Sequence, residues 1–309
     1  MPARLLARPL GALNNAAYAA GWALVRRLPE TWAARAFQLA ADLAWQRQLK
    51  VSRRLTANLA RVVPPGTDLD TLGRDAMRSY ARYWLEVFRL PVTPPDRISG
   101  QMFVRDEYLL RNAYAAGSGV ILALPHMGNW DHAGAWLVQS GVPFTTVAER
   151  LEPAALFDRF VEFREELGFE VLATSGEERP PFEVLSERLR SGGMLCLLAD
   201  RDLTAAGVPV TFFGAEATMP AGPAALALRT GAVLLPTTLW YPEDGGPGWR
   251  ARIHPPVEHT DVATMTQTMA DAFAESIAEH PEDWHMVQRL WREDLDPQRA
   301  KIAGSAAAA

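Results

Sequence analysis

The sequence predicts an α/β fold: a mostly parallel sheet flanked by helices on both faces, preceded by an N-terminal helical extension that contacts a membrane. Three observations lead there. From residue 100 onward, apolar runs of strand length alternate with helical stretches, the order that builds a parallel sheet covered on both sides. The 309 residues are 49% hydrophobic, enough for a full core, and 22% charged, which is ordinary for a folded chain. Charge is also unevenly placed: residues 1–63 hold ten Arg and Lys against Glu30 and Asp42, a balance of +8. With a net charge of −5, the rest of the chain carries −13.

Residues 1–63 read as helix almost throughout, rich in Ala, Leu and Arg, with Trp22, Trp32 and Trp45 spaced along them. The uncharged run 9–25 contains Asn14, Asn15, Gly11 and Gly21 and is shorter than the roughly 20 apolar residues a spanning helix needs. It leads into Arg26-Arg27 and lacks the small-residue site of a cleaved signal. An interfacial helix, apolar and Trp-bearing on one face and basic on the other, fits better. The same composition also suits helices that cap the core with solvated arginines. A further helix is expected over 69–90, where Leu72, Ala76, Tyr80, Tyr83, Trp84 and Val87 recur at helical spacing before Pro91, Pro94 and Pro95 stop it.

Strands are expected at 119–124, 144–148, 169–172, 194–199, 208–213, 233–240 and 249–253. Helices are expected at 130–139, 153–167, 180–191, 220–230, 262–279 and 283–293. The last strand pair, around Gly245-Gly-Pro-Gly248, reads as a hairpin at one edge of the sheet. The organisation predicted is a basic helical extension over 1–63, one α/β domain over 64–300 and a disordered tail over 301–309.

The sharpest local feature is Leu124-Pro-His126-Met-Gly-Asn-Trp-Asp131. It follows a buried strand and opens a helix, where open α/β sheets place their sites. Asn129 suits the N-cap and Asp131 the first turn. A bend at Gly128 would fold the His126 ring onto the Asp131 carboxylate, leaving the other ring nitrogen as a base. No activated Ser or Cys accompanies them. A hydroxyl acceptor needs none, because its own oxygen can attack a thioester while His126 takes the proton. On spacing alone such a pair also fits a structural turn; its place after a strand favours chemistry.

These residues resemble the bacterial lipid A lauroyl/myristoyl acyltransferase superfamily. Val147-Ala-Glu-Arg-Leu151, Asp200-Arg-Asp202, Phe212-Phe-Gly214, Met219-Pro-Ala-Gly-Pro223 and Gln288-Arg-Leu-Trp291 match in order, over roughly residues 5–295. Within the superfamily the chain is most similar to the phosphatidylinositol mannoside acyltransferases. The resemblance implies transfer of palmitoyl from acyl-CoA to the 6-position of the mannose on inositol O2. It also implies a His/Asp dyad, a hydrophobic acyl channel and peripheral work at the inner face of the plasma membrane. Many lipid A relatives open with a spanning helix and this chain does not.

Other candidates stand beside the dyad. Glu149-Arg150 ends a strand and Arg164 follows on the next helix, so both reach toward the sheet's rim, where a cation would bind CoA phosphates or a developing oxyanion. Asp200-Arg201-Asp202 also ends a strand, where acids hold sugar hydroxyls. Phe212, Phe213 and Met219 suit an acyl pocket or simply a core. Cys196 lies mid-strand and reads as core. His254, His259, His280 and His285 show no ligand spacing, so neither a metal nor a bound cofactor is expected. The partners expected are acyl-CoA, a mannosylated phosphoinositide and an anionic membrane surface. Nucleic acid is not expected, since the basic segment is also Leu- and Trp-rich. Two alternatives stay open: the same chemistry on another glycolipid or lysophospholipid, and an inactive peripheral membrane adaptor.

Overall fold

The structure is a computed structural model that describes residues 21–149, 154–176, 179–202 and 207–295. The expected tail and the first 20 residues lie outside this set. Residues 21–27 are helical and lead into α1 (Glu30–Gln46), α2 (Lys50–Val62) and α3 (Leu69–Arg89). Asp68 caps α3 by accepting from the N–H groups of Asp70 and Thr71, so the helix begins where the sequence supplies a short acceptor. The helices α4 (Pro95–Gly100) and α5 (Glu107–Ala115) follow, with strand β1 (Met102–Arg105) between them.

The remaining chain alternates as expected. In order come β2 (Val120–Leu124), α6 (Trp130–Gln139), β3 (Phe144–Ala148), α7 (Ala154–Glu166), β4 (Glu170–Ala173), α8 (Pro181–Arg190) and β5 (Met194–Leu198). Then come β6 (Val208–Phe212), β7 (Ala215–Met219), α9 (Gly222–Thr230), β8 (Val233–Trp240), β9 (Trp249–Ile253) and α10 (Val262–Glu279). One seven-stranded sheet forms in the order β1-β9-β8-β2-β5-β3-β4, parallel except between β8 and β9. All five residues of β2 are buried, the signature of a central strand covered on both faces.

The sheet separates two apolar clusters. On one face Ile121, Leu195 and Leu234 pack with Met265 and Phe273 of α10 and with Trp45, Leu55 and Leu59 of α1 and α2. The N-terminal helices therefore share this main core. On the other face Leu122, Leu124 and Leu235 pack with Trp136 of α6 and with Tyr83 and Val87 of α3.

Three expectations need correction. The β8–β9 hairpin lies inside the sheet, because β1, only four residues long and half-exposed, pairs along β9 and becomes the edge. Phe213 and Gly214 both take positive φ (50° and 75°) and form the tight turn of a separate β6–β7 hairpin. The expected helix over 283–293 is instead a strap. Trp284 bridges to Met127 and Trp291 to Ala217, and both indoles are fully buried. Both indoles enter one apolar cluster beside Phe212, while the backbone between them runs extended and spends its hydrogen bonds on the His126 turn and on β7, which leaves none for a helix.

Candidate active site

His126 sits in the turn between β2 and α6. Glycine is required at 128: φ is +58°, and a Cβ there would lie 2.7 Å from the Leu239 carbonyl. Asn129 caps α6 by accepting from the His132 N–H at 2.9 Å. Its own amide donates to Glu86 at 2.7 Å, a carboxylate that also accepts from Arg82 and from the Trp249 indole. The strap closes the turn from the other side. The His126 carbonyl accepts from the His285 N–H at 2.7 Å, and the Gly128 N–H donates to the Asp283 carbonyl at 2.9 Å.

The carboxylate facing the ring is Asp200. Nδ1 of His126 lies 2.6 Å from Asp200 Oδ1, while the His126 backbone N–H and the Trp284 indole both donate to Oδ2, at 2.9 and 3.0 Å. Register explains the pairing. Leu124 of β2 and Leu198 of β5 are direct partners, and His126 and Asp200 each lie two residues further on. Asp200 is fully buried. Burial alone would raise its pKa, but the His126 charge and the three hydrogen bonds hold it below the usual carboxylate value. An ionised carboxylate only accepts, so Nδ1 is the ring nitrogen that donates to it, and of the two nitrogens Nε2 is the one left to accept a proton.

Asp131, expected to orient His126, does something else. Its oxygens take a two-pronged bond from Arg164 (2.7 and 3.2 Å) and one from the Tyr83 hydroxyl (2.9 Å), and it is 1% exposed. As the second residue of α6 it turns toward the sheet, where a buried cation awaits it. Burial opposes the Arg164 charge, yet Asp131 more than offsets this and keeps the guanidinium protonated. Desolvation and the Asp131 charge push the Tyr83 hydroxyl well above its ordinary pKa, so it stays a donor.

Beside these groups runs a narrow apolar tunnel between the sheet and α6. Its floor takes side chains from six strands: Thr146 of β3, Cys196 of β5, Leu124 of β2, Leu239 of β8, Ala251 of β9 and Met102 of β1. Trp130, Gly134 and Trp136 of α6 form the roof, and Asp131 and Arg164 line it at the β3 side. Trp130 also meets the His126 ring edge to face, 5.5 Å between centroids. The six strands whose side chains line it are together about 24 Å wide, five steps of ~4.8 Å. Its free volume is about 70 Å³, so side chains must move to admit a long chain.

The other expected site residues scatter. Glu149 stands 3.7 Å from Arg201, an exposed ion pair at the rim. Asp202 accepts from the Gly207 N–H and shapes its own loop. Arg150 lies outside the described residues. Phe212 and Met219 pack in the cluster on the opposite face of the sheet, with Trp284 and Trp291, and Phe213 forms the hairpin turn beside them. All three are therefore excluded from the tunnel wall. Cys196 does line the tunnel, but burial pushes its thiol up and away from thiolate chemistry. His132 stacks on Trp249 and burial drops its pKa to about 3, so it stays neutral. Among the described residues no cluster of His, Cys, Asp and Glu could hold a metal.

Sequence reasoning missed Tyr83, Glu86 and Trp284. Tyr83 lay within a helical pattern that marked it only as part of an apolar face, and Glu86 lay on the same helix outside that face. Trp284 lay in the segment mistaken for a helix.

Known proteins resemble this chain over most of its length. The model of the bacterial lipid A biosynthesis acyltransferase family matches residues 7–293. The phosphatidylinositol mannoside acyltransferase of Mycolicibacterium smegmatis is 51% identical over 300 residues, covering 95% of this chain and 97% of that protein. The protein of the same name from Mycobacterium tuberculosis strain H37Rv is 51% identical over 292 residues, covering 92% of this chain and 90% of its own length.

Proposed function

Because this chain belongs to the bacterial lipid A biosynthesis acyltransferase family and is an acyltransferase, we propose that it moves a palmitoyl chain from acyl-CoA to a mannose hydroxyl of a phosphatidylinositol mannoside. The observation that carries this reading is the His126–Asp200 pair, one aromatic ring away from an apolar tunnel that crosses six strands. The names of the mycobacterial relatives supply the acceptor class.

In this reading the acyl chain lies in the tunnel with its thioester near Trp130. The acceptor oxygen attacks the thioester carbonyl as Nε2 of His126 takes its proton, forming the new ester C–O bond. The C–S bond then breaks, and the imidazolium returns the proton to the leaving thiolate. Asp200 fixes the ring's tautomer and stabilises the imidazolium. Arg164, held by Asp131, places positive charge where the tetrahedral oxyanion develops. No step needs a protein nucleophile, which agrees with the suppressed Cys196 thiol.

The test is incubation of the purified protein with labelled palmitoyl-CoA and a panel of mannosylated and plain phosphoinositides. Label on a mannosylated acceptor, with ester at a mannose hydroxyl, is expected. Label confined to lysophospholipid or another glycolipid would replace the acceptor, and no transfer to any acceptor would leave the adaptor reading.

Peripheral attachment at the cytoplasmic face of the membrane is part of the same proposal. No described helix is long and apolar enough to cross a bilayer. On α1, Trp32 (67% exposed), Leu39 (68%) and Leu43 line an outward row beside Arg35, whereas Trp45 is buried and Trp22 turns in to donate to the Phe88 carbonyl. Basic charge attracts anionic lipid and is screened by salt, while an apolar row is not. Binding to anionic vesicles should therefore weaken as salt rises but persist. The Trp32→Ser/Leu39→Ser/Leu43→Ser variant should detach completely at high salt in a co-sedimentation series. Equal sedimentation of variant and parent would remove α1 from the contact.

A further inference from the structure

A second groove, of about 450 Å³, lies between the helical residues 21–27 and α7. Arg26, Arg27 and Arg159 line it together with Trp22, Glu162 and Glu166. Arginines nearby are engaged: Arg97 pairs with Glu30, Arg82 with Glu86, Arg164 with Asp131, and Arg89 binds the carbonyls of Val25 and Leu28. Around the groove the pattern breaks. Arg26 gives only its Nε to the Phe88 carbonyl while its guanidinium lies over the Trp22 ring, 5.3 Å from the centroid. Among the described residues none of the three arginines is ion-paired, although two glutamates share the walls.

A row of aromatic rings joins this groove to the base. Trp22 contacts Phe160, Phe160 contacts Trp84, Trp84 contacts Tyr83, Tyr83 contacts Trp130, and Trp130 contacts His126, in steps of 4.1–6.0 Å between centroids. All of these rings except Tyr83 keep some exposure. The groove is thus joined to the turn that carries His126 by packed rings, open in part at Trp22, Phe160, Trp84 and Trp130 and buried at Tyr83.

We propose that this groove binds a phosphate ester of a substrate whose reacting end lies at His126, an inference that rests on the acyl-transfer reading above. Guanidinium forks match phosphate oxygens in a way no other unpaired group here does. The net charge of the lining, three arginines against two glutamates, suits a singly charged diester better than a cluster of phosphates. A headgroup diester also fits Leu24, which stands 58% exposed on the same helical segment and points apolar surface outward. Coenzyme A carries phosphate esters too, and the experiment separates the two sources.

Two soluble probes, glycerophosphoinositol for the diester and adenosine 3′,5′-bisphosphate for the phosphate end of coenzyme A, are titrated by calorimetry into the full chain without lipid. They are also titrated into Arg26→Gln/Arg159→Gln, into Arg159→Glu and into His126→Ala. Diester binding should weaken at least tenfold in both arginine variants and stay within twofold in His126→Ala, with bisphosphate binding unchanged. The KM for the lipid acceptor should rise in parallel. Loss of bisphosphate binding alone would keep a phosphate-ester site but assign it to the donor. Unchanged binding of both probes in folded variants, or no binding to the parent at millimolar probe, would overturn the proposal. Absence of acyl transfer by a parent that still binds the diester through these arginines would instead remove the catalytic reading and leave the groove.

Discussion

His126→Ala should lower acyl transfer by about 10²–10⁴-fold with the fold retained, the scale of a lost general base. Asp200→Asn should approach that loss, because an amide at 200 can orient Nδ1 but cannot stabilise the imidazolium. The two residues are bonded at 2.6 Å and act as one device, so the double variant should be little worse than the worse single one. Trp284→Phe removes one donor from Asp200 Oδ2. The carboxylate then holds the imidazole proton more tightly, and the acid limb of the pH–rate profile should move to higher pH. A purely structural defect would lower the rate without moving that limb. Multiplicative losses at 126 and 200, measured with thermal unfolding as a control, would show that Asp200 is not the partner of His126.

Asp131→Ala should damage stability more than any other single change at the site. It leaves the Arg164 guanidinium and the Tyr83 hydroxyl buried without their acceptor. Breaking one side of a buried ion pair costs about 3–5 kcal/mol. Replacing the whole polar group by apolar residues of similar volume, in Asp131→Leu/Arg164→Met/Tyr83→Phe, should recover most of that loss in urea unfolding. Transfer activity should not return, because the positive charge beside the tunnel would still be missing. If the triple variant is as unstable as Asp131→Ala, the pair is not the source of the destabilisation.

The contrast between these variants shows what was readable in the sequence. Apolar runs placed every strand from β2 to β6 and from β8 to β9 within about a residue, most plainly at β2, where a buried parallel strand is one continuous apolar segment. Strand β1 carries an alternating half-exposed pattern over four residues and left no such trace. The turn around His126 was legible from Gly128 and Asn129, whose backbone and capping roles are local. The partner of His126 was not. Spacing favoured Asp131, five residues away, whereas the choice of Asp200 depends on β5 lying beside β2, which no local pattern states. Likewise Phe212, Phe213 and Met219 were apolar enough for a tunnel, but only the sheet's two faces decide which apolar residues line it.

The strap has a consequence for the order of events on the ribosome. Trp284, which fixes Asp200, lies 84 residues downstream of it, and His285 and Asp283 hold the turn that carries His126. At ~5–20 residues per second, roughly ten to thirty seconds separate synthesis of the turn from synthesis of its clamp. The last strand of the sheet ends at Ile253, so a nascent chain holds all its strands before it has a fixed base. Acyl chemistry is thus withheld until the strap has emerged, and a chain ended after residue 280 should keep the sheet while leaving His126 unheld.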